Sequence, residues 1–336
     1  WHIGATGFYT SFSLPLMPDQ SQLYKRFAPQ GYNFWNASVD YGYVSHRWTI
    51  AGETATGNCG AIATLNAASY LFSDHFSLLA LHRFYSARYY SLFSNSFSEG
   101  SDVQDENGAY LGFTWIPAHR WSITGYSDFA YFVWPKYHTK QSTQCWDHLL
   151  NILYQPDKRW TLGTRLRYKE KAGTTTGRWR LYATFVEKNW SAKTSVDYTV
   201  SKEMGKKSSQ KESSKSSQKE ADEANPSQGY LLNENLSYRW HWLRLSGSFS
   251  YFHTQDFSSR IYAYEPGLLY QMSFSSFYGE GIRCALVARS EIGKHLLVIA
   301  KLGITRYFDR THISTGLQEI AASHQTDLEI QMKWKW

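Results

Sequence analysis

The chain ends on Thr326-Asp-Leu-Glu-Ile-Gln-Met-Lys-Trp-Lys-Trp336, which alternates without a break. Leu328, Ile330, Met332, Trp334 and Trp336 fall on one face of an extended strand. Asp327, Glu329, Gln331, Lys333 and Lys335 fall on the other. A period of two sends successive side chains to opposite sides of a sheet. One face therefore seeks an apolar surrounding and the other seeks water. An apolar-out, polar-in strand closing on an aromatic residue is the C-terminal pattern of a transmembrane β-barrel.

The same alternation recurs upstream. From Arg159 to Lys169, Trp160, Leu162, Leu166 and Tyr168 stand against Arg159, Arg165, Arg167 and Lys169. Trp179, Leu181 and Phe185 oppose Arg178 and Arg180, and Leu243, Leu245 and Phe249 oppose Arg244, Ser246 and Ser248. Ile282, Cys284, Leu286 and Ala288 oppose Arg283 and Arg289, so Cys284 on the apolar face reads as a small buried hydrophobe. Reading strands this way predicts an all-β fold over residues 1–336, a transmembrane antiparallel outer-membrane β-barrel of about sixteen strands.

The connections alternate too. Short polar turns are expected at 41–46, 73–75, 117–120, 155–158, 189–191, 239–242 and 292–295. Longer segments lie between them, at 14–30, 93–107, 135–142, 206–228, 257–279 and 309–325. Short periplasmic turns below and long surface loops above are the asymmetry of an outer-membrane barrel. Trp121, Trp160, Trp190, Trp240, Trp242, Trp334 and Trp336 gather near the short-turn end, where an aromatic girdle belongs. Residues 206–228 begin with KKSSQKESSKSSQKE and read as a low-complexity, mobile extracellular loop. Residues 257–281 are too aromatic for a mere connector and read as a structured extracellular loop. Arg260, Tyr262, Tyr264 and Glu265 are its candidate partner-binding residues. An even strand count returns Trp1 to the rim that holds Trp336, so sixteen strands can close by themselves.

Composition agrees. Aromatics form 17% of the 336 residues, with 14 Trp and 25 Tyr, while charged residues form only 19%. That load suits interfacial girdles, where amphipathic rings sit at headgroup level. No window approaches the roughly 18 uncharged apolar residues of a spanning helix. The most apolar stretch, His295-Leu-Leu-Val-Ile-Ala-Lys301, ends on a lysine. Three widely spaced cysteines form no disulfide framework or metal pattern. The chain starts at Trp1 without a signal peptide, so an export signal is expected to be removed or to lie outside this sequence.

The net charge of +7 gains meaning from its placement. Arg165, Arg167, Lys169, Arg178, Arg180, Arg244, Arg283 and Arg289 fall on the polar face and are expected to form a basic lumen patch, densest at Arg165, Arg167, Arg178 and Arg180. Basic side chains lining a pore favour anions, and they also contact phosphates if nucleic acid enters. Pairing with a plug or with facing acids is the alternative, and it stays open at this level. The sequence has no G-x-S-x-G, no H-E-x-x-H, no paired C-x-x-C and no phosphate loop. His138, Cys145, Asp147 and His148 match no usual ligand spacing. No catalytic residue, metal or cofactor is expected.

Several segments resemble the barrel region of large Bacteroidota outer-membrane proteins carrying helix-hairpin-helix (ComEA-like) domains. They run almost end to end: Tyr24-Lys-Arg-Phe-Ala-Pro-Gln-Gly31, Ala51-Gly-Glu-Thr54, Arg83-Phe-Tyr-Ser-Ala-Arg-Tyr-Tyr90, Ser96-Phe-Ser-Glu-Gly100, Asn107-Gly-Ala-Tyr-Leu-Gly112, Tyr126-Ser-Asp-Phe-Ala-Tyr-Phe-Val-Trp-Pro135, Arg167-Tyr-Lys-Glu-Lys171, Arg260-Ile-Tyr-Ala-Tyr-Glu-Pro266, Phe277-Tyr-Gly-Glu-Gly281 and Thr315-Gly-Leu-Gln-Glu-Ile320. The resemblance implies that this chain is the C-terminal part, or a split relative, of a longer protein with a larger barrel. The helix-hairpin-helix motifs themselves are not recognisable here.

The expected function is a non-enzymatic outer-membrane channel, or the membrane subunit of an envelope complex, in a Gram-negative bacterium. A nucleic-acid-handling uptake component and a surface-exposed enzyme are the alternatives. Expected partners are outer-membrane lipid and lipopolysaccharide, the barrel-assembly machinery through Trp336, and other envelope proteins or surface lipoproteins. Nucleic acid is the weakest of these.

Overall fold

The computed structural model describes residues 1–137, 139–203, 225–272, 274–293 and 295–334. Sixteen strands form one sheet in chain order. They are β1 (His2–Leu16), β2 (Gly31–Val44), β3 (Trp48–Gly57), β4 (Ala63–Ser73), β5 (Phe76–Tyr85), β6 (Glu106–Trp115), β7 (Trp121–Phe132), β8 (Thr143–Tyr154), β9 (Trp160–Lys171), β10 (Thr174–Val186), β11 (Trp190–Glu203), β12 (Ser227–Trp240), β13 (Leu243–Thr254), β16 (Glu280–Ile292), β17 (Leu296–Tyr307) and β18 (His324–Trp334). Two short strands, β14 (Ile261–Tyr264) and β15 (Phe274–Phe277), pair with each other inside the β13–β16 connection. Next-neighbour pairing satisfies the backbone of the sheet strands β2 to β17 from the strands on either side, which hydrocarbon demands of any spanning sheet.

The chain divides into two compact units, Trp1–Leu150 with Arg167–Thr174, and Asn151–Leu166 with Thr175–Trp336. In each, the alternation sorts side chains by face. In β18, Leu328, Ile330, Met332 and Trp334 are exposed, whereas Asp327, Glu329, Gln331 and Lys333 are half-buried under a loop. The loop-covered side is the inner face. Trp121, Trp160, Trp190, Trp240 and Trp334 lie exposed at the short-turn ends of their strands, as a girdle requires. Trp48, Tyr70, Phe72 and Phe76 continue that girdle in the first unit, with successive rings 4.6, 4.6 and 5.5 Å apart.

Several expectations are corrected. Trp242 lies in the two-residue β12–β13 turn after His241, whose φ is 46°, and it lines an inner cavity rather than the girdle. Trp336 and Lys335 lie outside the described residues, as do His138 and residues 206–224 of the low-complexity segment. Cys284 is not buried in protein: it is exposed on the outer face, where lipid takes the place of a core. The first loop begins at 17 rather than 14, because β1 continues to Leu16. Connections on the loop side are also not uniformly long. Residues 58–62 and 172–173 are tight turns, the latter with φ of 49° at Ala172 and 80° at Gly173, which suits the twist of a two-residue hairpin.

One outward residue breaks the apolar pattern. Glu234 sits between Leu232 and Leu236 on β12 and accepts the Thr194 hydroxyl at 2.6 Å. A carboxylate on the lipid side is destabilising unless partnered, and Thr194 supplies the partner.

Candidate functional site

In the first unit, β5, β6 and β7 meet at a fully buried guanidinium. Arg83 donates Nη1 and Nη2 to the two Asp128 carboxylate oxygens at 2.7 and 3.1 Å, and its Nε bonds Glu106. The ring of Phe97 lies 5.1 Å from its Cζ. The Glu106 carboxylate also accepts the Glu99 and Gly100 amides at 2.9 Å. Strand acid and loop backbone are thereby tied together, and loop 86–105 bends onto the inner face. Glu99 in turn takes Lys169 at 2.6 Å and Lys171 at 2.8 Å. Burial alone would raise the Glu99 carboxyl, but the two lysines outweigh it and hold it below the ordinary range. Arg167 is held by Asp147, with Nε to Oδ1 at 2.9 Å.

The inner face of the first unit also borders a space of about 720 Å³, lined among others by His46, Arg47, Ser69, Tyr110, Thr124 and Tyr126. At roughly 30 Å³ per water, it holds many waters.

In the second unit, loop 255–279 runs along the inner faces of β16, β17 and β18. Glu265, 3% exposed, is its centre. Arg283 donates Nε and Nη2 to the Glu265 carboxylate at 2.6 and 2.9 Å, and Nη1 to Asp327 at 3.0 Å. Lys301 reaches Glu265 at 2.9 Å and Glu329 at 3.7 Å. Burial pushes the Glu265 carboxyl up, yet Arg283 and Lys301 prevail and hold it below the ordinary range. Farther down, Leu268 and Leu269 pack on buried Val287, Leu297 and Ile299. The Leu269 amide donates to Gln331 Oε1 at 2.8 Å, and Lys333 Nζ donates to the Tyr270 hydroxyl at 2.5 Å.

Each network lies over a glycine. Gly108 is opposite Arg83 and Gly303 is opposite Asp327 in register. A Cβ at Gly108 would stand 2.6 Å from Arg83 Cζ and 2.7 Å from the Phe129 carbonyl oxygen; one at Gly303 would collide with Asp327 and Arg283. The bare backbone makes room for the guanidinium.

The expected basic patch is therefore not a bare cationic ladder. Arg167 and Lys169 are paired in the first unit. In the second, Arg180 bonds Asp197 at 2.5 Å and the Tyr262 carbonyl at 2.9 Å, and Arg165 reaches Asn151 at 3.4 Å. Arg178 has partners as well. Removing water from a guanidinium requires such partners. Arg244 and Arg289 stand apart from this pattern.

Nor are the four loop residues alike. Tyr262 and Tyr264 are exposed, and Arg260 is held over the Phe257 ring with Nε donating to the Tyr262 hydroxyl at 2.9 Å. Glu265 is turned the other way, into the wall, because two cations draw it there. Cys145 and Asp147 face inward while His148 faces outward, stacked 5.6 Å from Trp146, so the strand separates them.

No protein-family model matches this sequence, and no curated protein does. Solved structures do. The FrpB iron transporter from Neisseria meningitidis (F3-3 variant) is similar at 8% identity and a TM-score of 0.52, with 99% of this chain and 61% of the transporter covered. This chain thus spans about three-fifths of that transporter's length. Similarity also extends to OccK10 (OpdN) of Pseudomonas aeruginosa, at 8% identity and a TM-score of 0.44 over 98% of this chain and 93% of that one. The NanC porin is similar at 8% identity and a TM-score of 0.32, over 69% and 94%. With the sheet described above, the FrpB likeness establishes the fold. The chain is an all-β, antiparallel outer-membrane β-barrel protein.

Proposed function

We propose that the protein is a non-enzymatic outer-membrane channel whose inner face is narrowed by loops 86–105 and 255–279. The observation that carries this reading is the 720 Å³ space on the inner face of the first unit, where His46, Arg47, Ser69 and Thr124 give its lining a wet side. A wet passage bounded by fixed charges conducts ions, and a surplus of cations biases it toward anions. The use of the buried carboxylates supports a structural rather than catalytic role: Glu106, Asp128, Asp147, Asp197 and Glu265 each hold a cation. On this reading outer-membrane lipid and lipopolysaccharide surround the outer face, the assembly machinery engages the C-terminal strand, and the ComEA-like barrel proteins are kin.

Purified protein in planar bilayers tests the proposal. Small, anion-preferring conductance is expected from the wild type, with larger steps from Glu265→Gln, in which loop 255–279 is loosened. Silence from both, with folded protein inserted, overturns it.

A further inference from the structure

Among the described residues of the inner wall, Arg83, Arg167, Arg180 and Arg283 are each paired with an acid, whereas one row of arginines is not. Arg239 on β12 is directly opposite Arg244 on β13, and Arg244 is directly opposite Arg289 on β16. All three share the inner-facing parity of Ser237, Ser246 and Val287, beside the short turns. Directly opposed like charges repel. Among the described residues, the one ion pair in the row is Arg289 with Glu291 on its own strand, at 3.1 Å and largely exposed, and such a pair contributes little. Three guanidinium charges against one carboxylate leave two positive charges uncompensated.

The row is also hollow. Arg239, Arg244, Arg289, Glu291, His241 and Trp242 line a cavity of about 170 Å³, room for several waters at roughly 30 Å³ each. On the β17 side Arg289 is opposite buried Ile299, which lies in the apolar cluster under Leu268 and Leu269. A charge flanked by apolar surface interacts more strongly than one in bulk water.

We infer that Arg239, Arg244 and Arg289 form a binding site for a small phosphate-class oxyanion at the short-turn mouth. The guanidinium fork matches two oxygens of a tetrahedral anion, and converging forks satisfy more of them. A divalent oxyanion supplies the two negative charges that the row lacks. This deepens the channel reading, on which it rests for a wet inner face, by naming a station where an anion would pause.

The test is titration of inorganic phosphate into the detergent-solubilised intact chain at low salt, followed by thermal unfolding and calorimetry, with gel heat-modifiability as the check on folding. Phosphate should raise the melting temperature of the wild type. Arg244→Gln and, separately, Arg239→Gln should weaken phosphate binding tenfold or more. In phosphate-free buffer the same variants should melt higher than the wild type, because repulsion is relieved. A merely structural row would lose stability instead. Arg165→Gln, a cation on another strand, should bind phosphate as the wild type does.

Absence of phosphate binding to the wild type overturns the site, as does unchanged binding in both row variants or equal loss in Arg165→Gln. A repeat in nanodiscs separates the sources of phosphate. Binding unaffected by replacing phosphatidylcholine with phosphatidylglycerol supports a free solute, whereas displacement by phosphatidylglycerol assigns the row to lipid headgroups and overturns it. Conductance is read separately. Phosphate bound by a non-conducting protein defeats the channel and keeps the site; conduction without phosphate binding does the reverse.

Discussion

Loop 86–105 and loop 255–279 both fold onto an inner face and both present a glutamate to wall cations, yet they are anchored differently. The first is clamped at its root. Glu106 belongs to β6 itself, Arg83 is wholly enclosed, and the loop backbone hangs from the same carboxylate. The second is fastened along its length by unlike contacts, with Glu265 on Arg283 and Lys301, an apolar foot at Leu268 and Leu269, and amide bonds at Gln331. A clamp whose charges are all buried fails as a whole, because losing one partner strands the others. A seam of separate contacts yields one step at a time. The first loop is thus anchored as part of the wall, whereas the second is held by contacts that can be released separately.

The comparison breaks most readily at the two arginines. Arg83→Met leaves Glu106 and Asp128 buried without a cation and should cost about 3–5 kcal/mol, read as a fall in the urea midpoint of unfolding from phospholipid vesicles. Arg283→Met makes the same chemical change, but Lys301 still faces Glu265 and Asp327 is partly exposed. Its cost should be about half as large, near 2 kcal/mol. Equal costs would mean that both networks are clamps.

Glu265→Gln separates loop from wall. Loss of the charge-assisted bonds to Arg283 and Lys301 should weaken docking of loop 255–279 by about 1.5–3 kcal/mol. The urea midpoint should stay nearly unchanged, while protease cleavage within the loop accelerates and bilayer conductance rises. A midpoint shift as large as that of Arg83→Met would contradict the seam.

Acid should act in the same direction. The docked Glu265 carboxyl lies below its ordinary range, which is about 4.3 when the loop is free. A depressed carboxyl contributes stability that is present in full above the free value and is lost as pH falls through the docked value. Loop cleavage should therefore be flat from about pH 5 upward and rise on acidification below about pH 4. Glu99 is shifted in the same direction by Lys169 and Lys171. Loop 86–105 should nevertheless stay resistant longer, since the Tyr85 hydroxyl still donates to the Phe97 carbonyl at 2.8 Å. Release of both loops at one pH would erase the distinction.

The contrast between the loops also marks where sequence reading stops. Two-sided strands such as β9, β10 and β18 are legible because lipid and water impose a period of two that needs no knowledge of neighbours. Ion pairs between Glu265 and Arg283, or Arg83 and Asp128, join residues far apart in the chain, and no local pattern announces them. One local signal does exist in the sequence, however. His295-Leu-Leu-Val-Ile-Ala-Lys301 does not alternate, and a continuous apolar run implies a strand covered on both faces. Leu297 and Ile299 point inward and are covered by Leu268 and Leu269. Read in that way, the lapse in alternation points to an infolded loop. The opposed arginines of β12, β13 and β16 were visible as single basic residues, but their register was not.

The smallest effect probes the foot of the seam. Gln331 Oε1 accepts the Leu269 amide at 2.8 Å and its Nε2 donates to the Leu269 carbonyl at 3.3 Å, both partly exposed to water. Gln331→Ala removes two neutral hydrogen bonds that water replaces in part, so docking should weaken by about 1 kcal/mol. That corresponds to roughly a fivefold increase in the open population, measurable as a fivefold faster cleavage at neutral pH when cleavage is slower than reclosing. Combined with Glu265→Gln, the two effects should add within about 0.5 kcal/mol, since the contacts share no partner. Strong non-additivity would show that the foot and Glu265 release together, making the second loop a clamp like the first.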